Sequence, residues 1–358
     1  MDKPNKILMV GQFRHYFIGL GLALSDKAHN YHLIFINQNF DDGRNPIYQA
    51  SLKLLAPFAS VSCLPLRTSK FKQKNQNRKE AFKILRDTVK SLKPVEIATG
   101  NDRRLEFQYA MHFSQNILKL DVKGAYLDNG TGSYISFQKL NMGKYLARKW
   151  IDVPIKKLVY GSWFTKMQRY GGSDWTDICY LTHPEFAPSR LKKKQCVEVK
   201  VGYYKTDQAQ SLIKSVVATL GWQEKDQLPG DKILLVLPRA TVIEGIYGSL
   251  KNAENIIKKI TQGYGHVYVK YHPADLEDIL NFKGVAEILP SPVPIEVLFS
   301  VMSFSKVIGD TSTAILSAKW MLPEAEVSFF DMPSEHTEVV RGLFAKMNIL
   351  PLKVDTIV

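Results

Sequence analysis

The sequence predicts an α/β protein built from two Rossmann-like domains. The chain of 358 residues is too long for one ordinary core and suits two domains of about 150 residues each. Short apolar, β-branched runs alternate with segments of helical period, which is typical of parallel sheets with helical crossovers. The polar segment 221–231 separates the two halves. We therefore expect domains over 1–220 and 221–335 and a C-terminal helix over 336–358, for which packing back on the first domain is one arrangement.

The first half alternates strands and helices in order along the chain. Each strand is a run of apolar and β-branched residues, and each helix repeats its apolar residues with a helical period. Strands are predicted at 6–11, 31–37, 60–66, 95–100 and 123–128, with helices after residue 16, at 78–92 and near 105–118. The segment 182–185, Thr-His-Pro-Glu, is interpreted as a loop.

The second half repeats the alternation, and its turns are marked by glycine and proline. Strands are predicted at 232–238, 266–273, 286–290, 305–310 and 326–330, with helices at 252–265, 294–302 and 311–321. This order predicts a second parallel sheet.

Composition excludes several classes of protein. With 45% hydrophobic and 23% charged residues, the chain has the balance of a folded soluble protein. The apolar run before Gly11 is far shorter than a signal-peptide core or a membrane span, so we expect a cytoplasmic location. The three cysteines are widely spaced and form no CxxC pair, which favours neither a disulfide framework nor a zinc site.

A net charge of +14 indicates a polyanionic partner of some kind. The basic residues concentrate in the segments 66–93 and 138–170. In the second segment they interleave with tyrosine, tryptophan and phenylalanine, which suits a helix lying on an anionic lipid surface. A solvated helix face with its aromatic residues in the core explains the pattern equally well.

Three polar clusters follow predicted strands. They are Asp128-Asn129-Gly130, His272-Pro273, and Asp310 followed by Thr311, Ser312 and Thr313. Open α/β sheets bind ligands beyond the carboxyl ends of their strands, so two such sheets facing a central cleft would bring these clusters together. We take this convergence as a hypothesis for an active site.

Each cluster has a chemical use and an ordinary structural explanation. The hydroxyls at 311–313 begin a helix, where amides and the helix dipole favour a phosphate, although an ordinary N-cap has the same residues. Asp128 could accept a proton from an incoming hydroxyl, although Asn129-Gly130 is also a common turn. No GxxxxGK[ST] motif is present, which disfavours a P-loop nucleotidase.

The set of motifs and their order resemble those of bacterial sialyltransferases, including capsular polysialyltransferases and lipooligosaccharide sialyltransferases. That family carries a D/E-D/E-G motif, a later His-Pro motif and a Ser/Thr pair, here Asp128-Asn129-Gly130, His272-Pro273 and Ser312-Thr313. The sequence departs from the pattern at Asn129, where the family usually has a second carboxylate. The segments 97–111 and 294–298 also look like this group.

The resemblance implies a GT-B glycosyltransferase that uses CMP-sialic acid, inverts the anomeric carbon and needs neither a metal nor another cofactor. In that mechanism Asp128 is the base for the acceptor hydroxyl, and His272 stabilises the departing CMP phosphate. The remaining donor-side residues would be Pro273, Glu296, Thr311, Ser312 and Thr313. Asn101 and Arg103 would bind the acceptor or the donor carboxylate, unless Asp102 and Arg104 simply form a local ion pair.

The implied partners are CMP-sialic acid, an anionic glycan or glycolipid acceptor, and the inner face of the cytoplasmic membrane. The basic residues would bind such anionic acceptors, and the segment 139–170 is the candidate membrane anchor. A GT-B transferase for another CMP-nonulosonate, such as CMP-Kdo, stays open because the phosphate chemistry would be the same. A non-catalytic polyanion-binding protein also stays open, although no specific nucleic-acid module is recognised.

Overall fold

The computed structural model describes residues 3–36, 48, 51–52, 56–65, 71–135, 153–166, 169–222, 231–262, 264–273, 275, 277–331 and 335–352. The chain forms two compact units, an N-terminal unit of Met1–Tyr203 and a C-terminal unit of Tyr204–Val358. Each unit is built on one parallel sheet.

In the N-terminal unit the described residues form seven parallel strands in the order β3-β2-β1-β4-β5-β6-β7. The strands are β1 (Asn5–Val10), β2 (Asn30–Phe35), β3 (Ser60–Cys63), β4 (Glu96–Thr99), β5 (Lys123–Leu127), β6 (Ile178–Leu181) and β7 (Gln195–Glu198). The strand order reverses between β1 and β4. This reversal is the switch point at which open sheets of this kind leave a crevice.

The helices of the N-terminal unit connect these strands. They are α1 (Phe13–Ser25), α2 (Phe71–Leu92), α3 (Leu105–His112), α4 (Thr131–Tyr134), α5 (Val153–Tyr160) and α6 (Ser189–Lys192). A π-helical turn, Phe113–Ile117, extends α3. The main core lies between the sheet and these helices, where Met9, Ile97, Leu85, Phe107 and Met111 are almost fully buried.

The C-terminal unit has six described parallel strands in the order β10-β9-β8-β11-β12-β13. They are β8 (Lys232–Val236), β9 (His266–Lys270), β10 (Glu287–Leu289), β11 (Lys306–Gly309), β12 (Glu326–Phe330) and β13 (Leu350–Leu352). The helices are α7 (Asp207–Thr219), α8 (Ala240–Tyr247), α9 (Leu250–Thr261), α10 (Ile295–Val301), α11 (Thr313–Met321) and α12 (Glu335–Lys346). The order reverses between β8 and β11, so this sheet has a switch point of its own.

The unit boundary lies earlier than the sequence suggests. The polar segment 221–231 predicts a boundary near residue 220, whereas contacts divide the chain after Tyr203. Helix α7 belongs to the C-terminal unit because Gln210 donates to the carbonyl of Ser300 over 3.2 Å. Tyr204 also packs edge-on against Trp320, with ring centroids 5.5 Å apart.

The described part of the C-terminal segment, residues 335–352, belongs to the C-terminal unit, and residues 353–358 lie outside the described residues. The sequence predicts a helix over 336–358, and the structure has α12 followed by β13. Strand β13 pairs in parallel with β12, and Phe344 of α12 packs on Phe329 with centroids 5.2 Å apart. This pairing and packing tie the segment to the C-terminal unit.

Candidate active site

A polar pocket lies beyond the carboxyl ends of β1 and β4, at the switch point of the N-terminal sheet. Strands β5 and β6 end beside it, because β4, β5 and β6 are paired in register. The pocket is lined by Gly11, Gln12, His15, Ile36, Thr99, Asn101, Arg104, Asn129 and Tyr170. Amide, imidazole and guanidinium groups dominate this lining, which therefore suits a polar ligand.

Asp128 lies directly behind this pocket as the centre of a buried hydrogen-bond network. Its side chain has no exposed surface. Oδ1 accepts hydrogen bonds from the amide of Gly130 over 2.7 Å and from the Ser133 hydroxyl over 3.1 Å. Oδ2 accepts from the amide and hydroxyl of Thr182, over 2.9 and 2.7 Å, and from the Tyr134 hydroxyl.

The same carboxylate carries the counter-charge for a buried arginine. Nη2 of Arg14, on α1, lies 3.5 Å from Oδ2 of Asp128. Burial acts to raise the pKa of Asp128, but Arg14 and the hydrogen bonds from Tyr134 and Thr182 outweigh it and hold the pKa below its ordinary value. Asp128 is thus ionised and enclosed. Its predicted role as the acceptor base stays a prediction.

His15 and Asn129 form a second pair, which lines the pocket itself. Nε2 of His15 lies 2.9 Å from Oδ1 of Asn129. The imidazole is 2% exposed, and burial together with Arg14 and Arg104 lowers its pKa to about 4. The ring is therefore neutral at pH 7 and carries a single N–H.

Asn101 and Arg103 lie at the rim of the pocket, after β4. Asn101 also lines a second pocket, whose other lining residues are Arg103, Arg104, Leu105, Lys156, Phe164, Thr165 and Lys166. Arg103 is exposed and lies over the ring of Tyr170, 4.9 Å from its centroid. Asp102 is buried and accepts from the amides of Gly171 and Ser173, over 3.0 and 2.8 Å. The predicted pair of Asn101 and Arg103 therefore borders a basic surface, and Asp102 fixes the neighbouring loop.

In the C-terminal unit, His272 and Pro273 follow β9, as the sequence predicts. The His272 side chain is half-buried. Burial, followed by the charge of Arg239, lowers its pKa, while Asp275 opposes this shift. Asp275 also accepts a hydrogen bond from the amide of Ala240 over 3.1 Å, which joins the loop after β9 to the start of α8. His272 therefore lies in a locally positive environment formed by Arg239 and Lys270.

The N-terminus of α11 follows β11, and Ser312 occupies its N-cap position. At α7 and α9 the N-cap side chains of Thr206 and Ser249 accept hydrogen bonds from backbone amides over 3.2 and 3.1 Å. Ser312 makes no such bond, and its buried hydroxyl has no hydrogen-bond partner in the part of the chain that the structure describes. The alternative explanation of an ordinary capping serine therefore does not hold for Ser312.

Asp310 and Thr311 precede Ser312 in the sequence, and Thr313 follows it. Thr311 is buried, whereas Thr313 and Asp310 are partly exposed. The Tyr247 hydroxyl, at the end of α8, is also buried without a described hydrogen-bond partner. Burial and the nearby charge of Asp310 raise the pKa of the Tyr247 hydroxyl.

Glu296 and Lys270 complete the cluster of the C-terminal unit. Glu296 lies in the first turn of α10, is 5% exposed and accepts a hydrogen bond from the Ser317 hydroxyl over 2.8 Å. Nζ of Lys270 donates to the carbonyls of Tyr271 and Ser291, over 3.0 and 2.8 Å. Burial lowers the pKa of Lys270 to about 8, although Glu296 acts in the opposite direction.

Each unit thus gathers its own predicted residues, and the structure adds several that sequence reasoning missed. Arg14, His15, Arg104 and Thr182 are buried polar residues around the first pocket, and Arg239 and Lys270 flank His272. Arg14 and His15 within the apolar α1 were an available signal, because such polar residues are rarely fully buried without a specific partner. Among the described residues, no group of three or more His, Cys, Asp or Glu side chains is arranged to hold a metal ion.

Solved structures share this fold across nearly the whole chain. A UDP-glucosyltransferase from Polygonum tinctorium matches with a TM-score of 0.55 and 11% identity, over 99% of this chain and 85% of that one. A UDP-GlcNAc 2-epimerase from Methanocaldococcus jannaschii matches with a TM-score of 0.54 and 14% identity, over 98% and 89% of the two chains. At these identities the likeness shows the fold alone. With the two parallel sheets, it confirms the predicted α/β fold of the GT-B class.

Sequence comparison identifies the family. No curated protein matches the sequence. Residues 22–329 match the family described as Alpha-2,8-polysialyltransferase (POLYST), and this range includes Asp128, His272 and Ser312. Because the match covers most of the chain, the protein belongs to the alpha-2,8-polysialyltransferase family and is a glycosyltransferase.

Proposed function

We propose that this glycosyltransferase is an inverting, metal-independent sialyltransferase that transfers sialic acid from CMP-sialic acid to a hydroxyl of a cell-surface glycan. The observation that carries the proposal is the Ser312 hydroxyl, buried at a helix N-terminus and bonded to no described group. Helix N-termini favour phosphate, and a hydroxyl left unbonded there is available to a phosphate oxygen. Family membership supports the same reaction class.

The proposed reaction is a single displacement. The acceptor oxygen forms a bond to the anomeric carbon, the bond from that carbon to the CMP phosphate breaks, and its electron pair passes to the phosphate. The acceptor hydroxyl loses its proton, and Asp128 is the predicted base. Because the developing charge is on the phosphate, donors near that oxygen lower the barrier.

The C-terminal unit has suitable donors for this phosphate. His272 keeps an N–H in its neutral form, and its lowered pKa reflects burial and the adjacent Arg239 and Lys270. The hydroxyls of Ser312, Thr311 and Thr313 would bind the phosphate at the start of α11. Glu296 would bind the ribose of CMP, with Ser317 orienting its carboxylate. Pro273 would fix the turn that presents His272.

The acceptor side of the proposal relies on basic charge. Arg103, Lys156 and Lys166 line the second pocket beside Phe164, which suits an anionic glycan such as a polysialic or lipooligosaccharide chain. Asn101 joins this pocket to the one at the switch point. An acceptor held there by its charge would bind less well at high salt.

CMP release from CMP-sialic acid in chelator-containing buffer tests the proposal, with a sialylated oligosaccharide or a lactose-ended glycan as acceptor. We expect release that depends on the acceptor and persists without divalent metal. If CMP is released only from CMP-Kdo, the donor is CMP-Kdo and not CMP-sialic acid. Oligonucleotide binding that depends steeply on salt, without CMP binding, would favour a polyanion-binding protein. Failure to bind or cleave any CMP-sugar would contradict the proposed function.

We also propose that α5 holds the enzyme on the inner face of the cytoplasmic membrane. Ile155, Leu158 and Val159 form an apolar stripe on this helix and are 55%, 89% and 65% exposed. Lys156 and Lys157 flank the stripe, an arrangement that suits an anionic lipid surface. No helix among the described residues is long and apolar enough to span a bilayer. Residues 139–152 and 167–168 of the predicted anchor lie outside the described residues.

Co-sedimentation with phosphatidylglycerol and phosphatidylcholine vesicles tests this membrane contact. Replacing Ile155 and Leu158 together by serine should lower the partition coefficient on anionic vesicles at least about tenfold, since each buried side chain contributes roughly 1.5–3 kcal/mol. Val285, which is 56% exposed in the C-terminal unit, is the matched control for a Val→Ser change. Equal binding of the double variant and the control would contradict this role for α5.

A further inference from the structure

The imidazole of His15 is held in place from two sides. Gly100 follows β4, and a Cβ added there would lie within 2.1–2.2 Å of three ring atoms of His15. No side chain fits in that space, so the ring position requires glycine at residue 100. On its other side the ring contacts Asn129 through the 2.9 Å hydrogen bond.

The neutral state of the ring determines what Asn129 presents to the pocket. A neutral imidazole that donates from Nε2 to Oδ1 of Asn129 leaves the carboxamide nitrogen for another partner. Nδ2 of Asn129 lies toward Gly132, and a Cβ added to Gly132 would be 3.6 Å from it and 3.3 Å from a ring atom of Tyr170. The Asn129 amide group is therefore on the side of the pocket that Tyr170 also lines.

An aspartate at position 129 would change the charge of this pocket. His15 faces Arg14, Arg104 and Asp128 as well as Asn129. A carboxylate at 129 would raise the pKa of the imidazole, and wherever the ring stays neutral it would add a negative charge to the lining. With Asn129, Arg104 is the one formally charged side chain among the described lining residues at pH 7. The pocket thus attracts an anionic ligand.

We propose that His15 is a positioning residue that orients the Asn129 carboxamide, so that its N–H group donates a hydrogen bond to the carboxylate of a sugar bound at the mouth of this pocket. The inference rests on the proposed sialyl transfer. The carboxylate belongs either to the donor sugar or to a sialylated acceptor, and substrate kinetics distinguish the two. His15 acts through Asn129 and takes no part in bond breaking.

Four variants test this role: His15→Leu, His15→Gln, Asn129→Ala and Asn129→Asp. Loss of one hydrogen bond to a charged group should raise one KM about tenfold in His15→Leu and Asn129→Ala, with kcat changed less. Glutamine can also donate to Oδ1, so His15→Gln should restore KM to within about threefold of wild type. A raised donor KM places the carboxylate on the donor sugar, and a raised acceptor KM places it on the acceptor.

The pH profile separates positioning from general support of the fold. Asn129→Asp should introduce a dependence of KM on pH between about 5 and 8, because the new carboxylate raises the pKa of His15 toward its ordinary value. The control is His112→Leu, since His112 pairs with Asn116 over 3.2 Å and lines neither pocket. Its KM values should match wild type. Calorimetric CMP affinity should be the same in all variants.

Two results would overturn the inference on its own. The first is wild-type KM values in folded His15→Leu and Asn129→Ala, and the second is equal loss in His15→Leu and His15→Gln at equal thermal stability. If the wild-type protein neither binds CMP nor transfers a sugar, the proposed function fails and this inference fails with it. CMP binding by the wild type distinguishes the two cases.

Discussion

The two units place polar residues beyond the carboxyl ends of their strands, but Asp128 and Ser312 differ in how their hydrogen bonds are completed. In the N-terminal unit, both oxygens of Asp128 are occupied and Arg14 is paired with it. In the C-terminal unit, the hydroxyls of Ser312 and Tyr247 are buried without described partners. A satisfied network holds a fixed geometry, whereas unsatisfied donors are available to a ligand. We infer that the hydrogen bonds of Asp128 hold its carboxylate in place, whereas the Ser312 hydroxyl is available to a ligand.

The Asp128 network gives the largest expected effect on stability. Asp128→Asn leaves the buried Arg14 without its counter-charge and should lower the free energy of unfolding by about 3–5 kcal/mol. Urea denaturation measures the change, with Asp87→Asn as a control because that side chain is 58% exposed. A loss below about 1 kcal/mol would contradict the structural role. A folded variant that binds CMP normally but transfers nothing would support the predicted role as base.

His272 should show the opposite behaviour, with a large effect on activity and a small effect on stability. His272→Ala should slow acceptor-dependent CMP release about 10²–10³-fold, because a donor to the departing phosphate is lost. The free energy of unfolding should change by less than about 1 kcal/mol for this half-buried residue. His266→Ala, at the other end of β9, is the matched control. Full activity of His272→Ala would remove the residue from the mechanism.

The pH dependence of stability provides a further test of the N-terminal unit, through the lowered pKa of His15. Its pKa is about 4 in the folded protein, against 6.5 as the ordinary value. Between these pH values the unfolded chain binds a proton that the folded chain does not, so stability falls as the pH decreases from 6.5 to 4. This difference corresponds to about 3 kcal/mol. His15→Gln should reduce the loss measured by denaturation at pH 7 and pH 4, and an unchanged loss would contradict the assignment.

Ser312 and Ser249 give the smallest and most direct comparison. Ser312→Ala should weaken CMP binding about tenfold, while stability stays unchanged or rises by about 1 kcal/mol, since an unpartnered buried hydroxyl is removed. Ser249→Ala should lower stability by about 1 kcal/mol, because it removes a helix cap, and should leave CMP affinity unchanged. Calorimetry and thermal denaturation measure both quantities. Equal CMP affinities in the two variants would contradict a phosphate site at Ser312.

Much of the fold was predictable because the longer buried strands are continuous apolar runs. Strands β8 and β9 fall within the predicted segments, and β1 and β2 each begin one residue before theirs. Strands β6 and β7 were missed, and β7 is mixed in polarity. Helix α7 follows the first unit in sequence but belongs to the second, where it contacts α10. Local patterns do not encode such pairings.

The candidate residues were predictable as a set, because polar residues after buried strands collect at one edge of a parallel sheet. Asp128, His272 and Ser312 all lie at such edges. Their individual surroundings were not predictable. Tyr134 and Thr182, which enclose Asp128, come from different parts of the chain, and Thr182 follows the unpredicted β6. Their hydroxyl groups donate to the Asp128 carboxylate and help to enclose it, so that it has no exposed surface.

The sequence by itself determined the α/β class, the order of most strands and the polar residues that follow them, since these depend on local periodicity and residue identity. Only the tertiary structure decided which polar groups are satisfied. Gly100 leaves space for the ring of His15, and Asn129 accepts its hydrogen bond. Burial and hydrogen bonding depend on residues far apart in the chain, so they become defined when the strands pair and the helices pack against them.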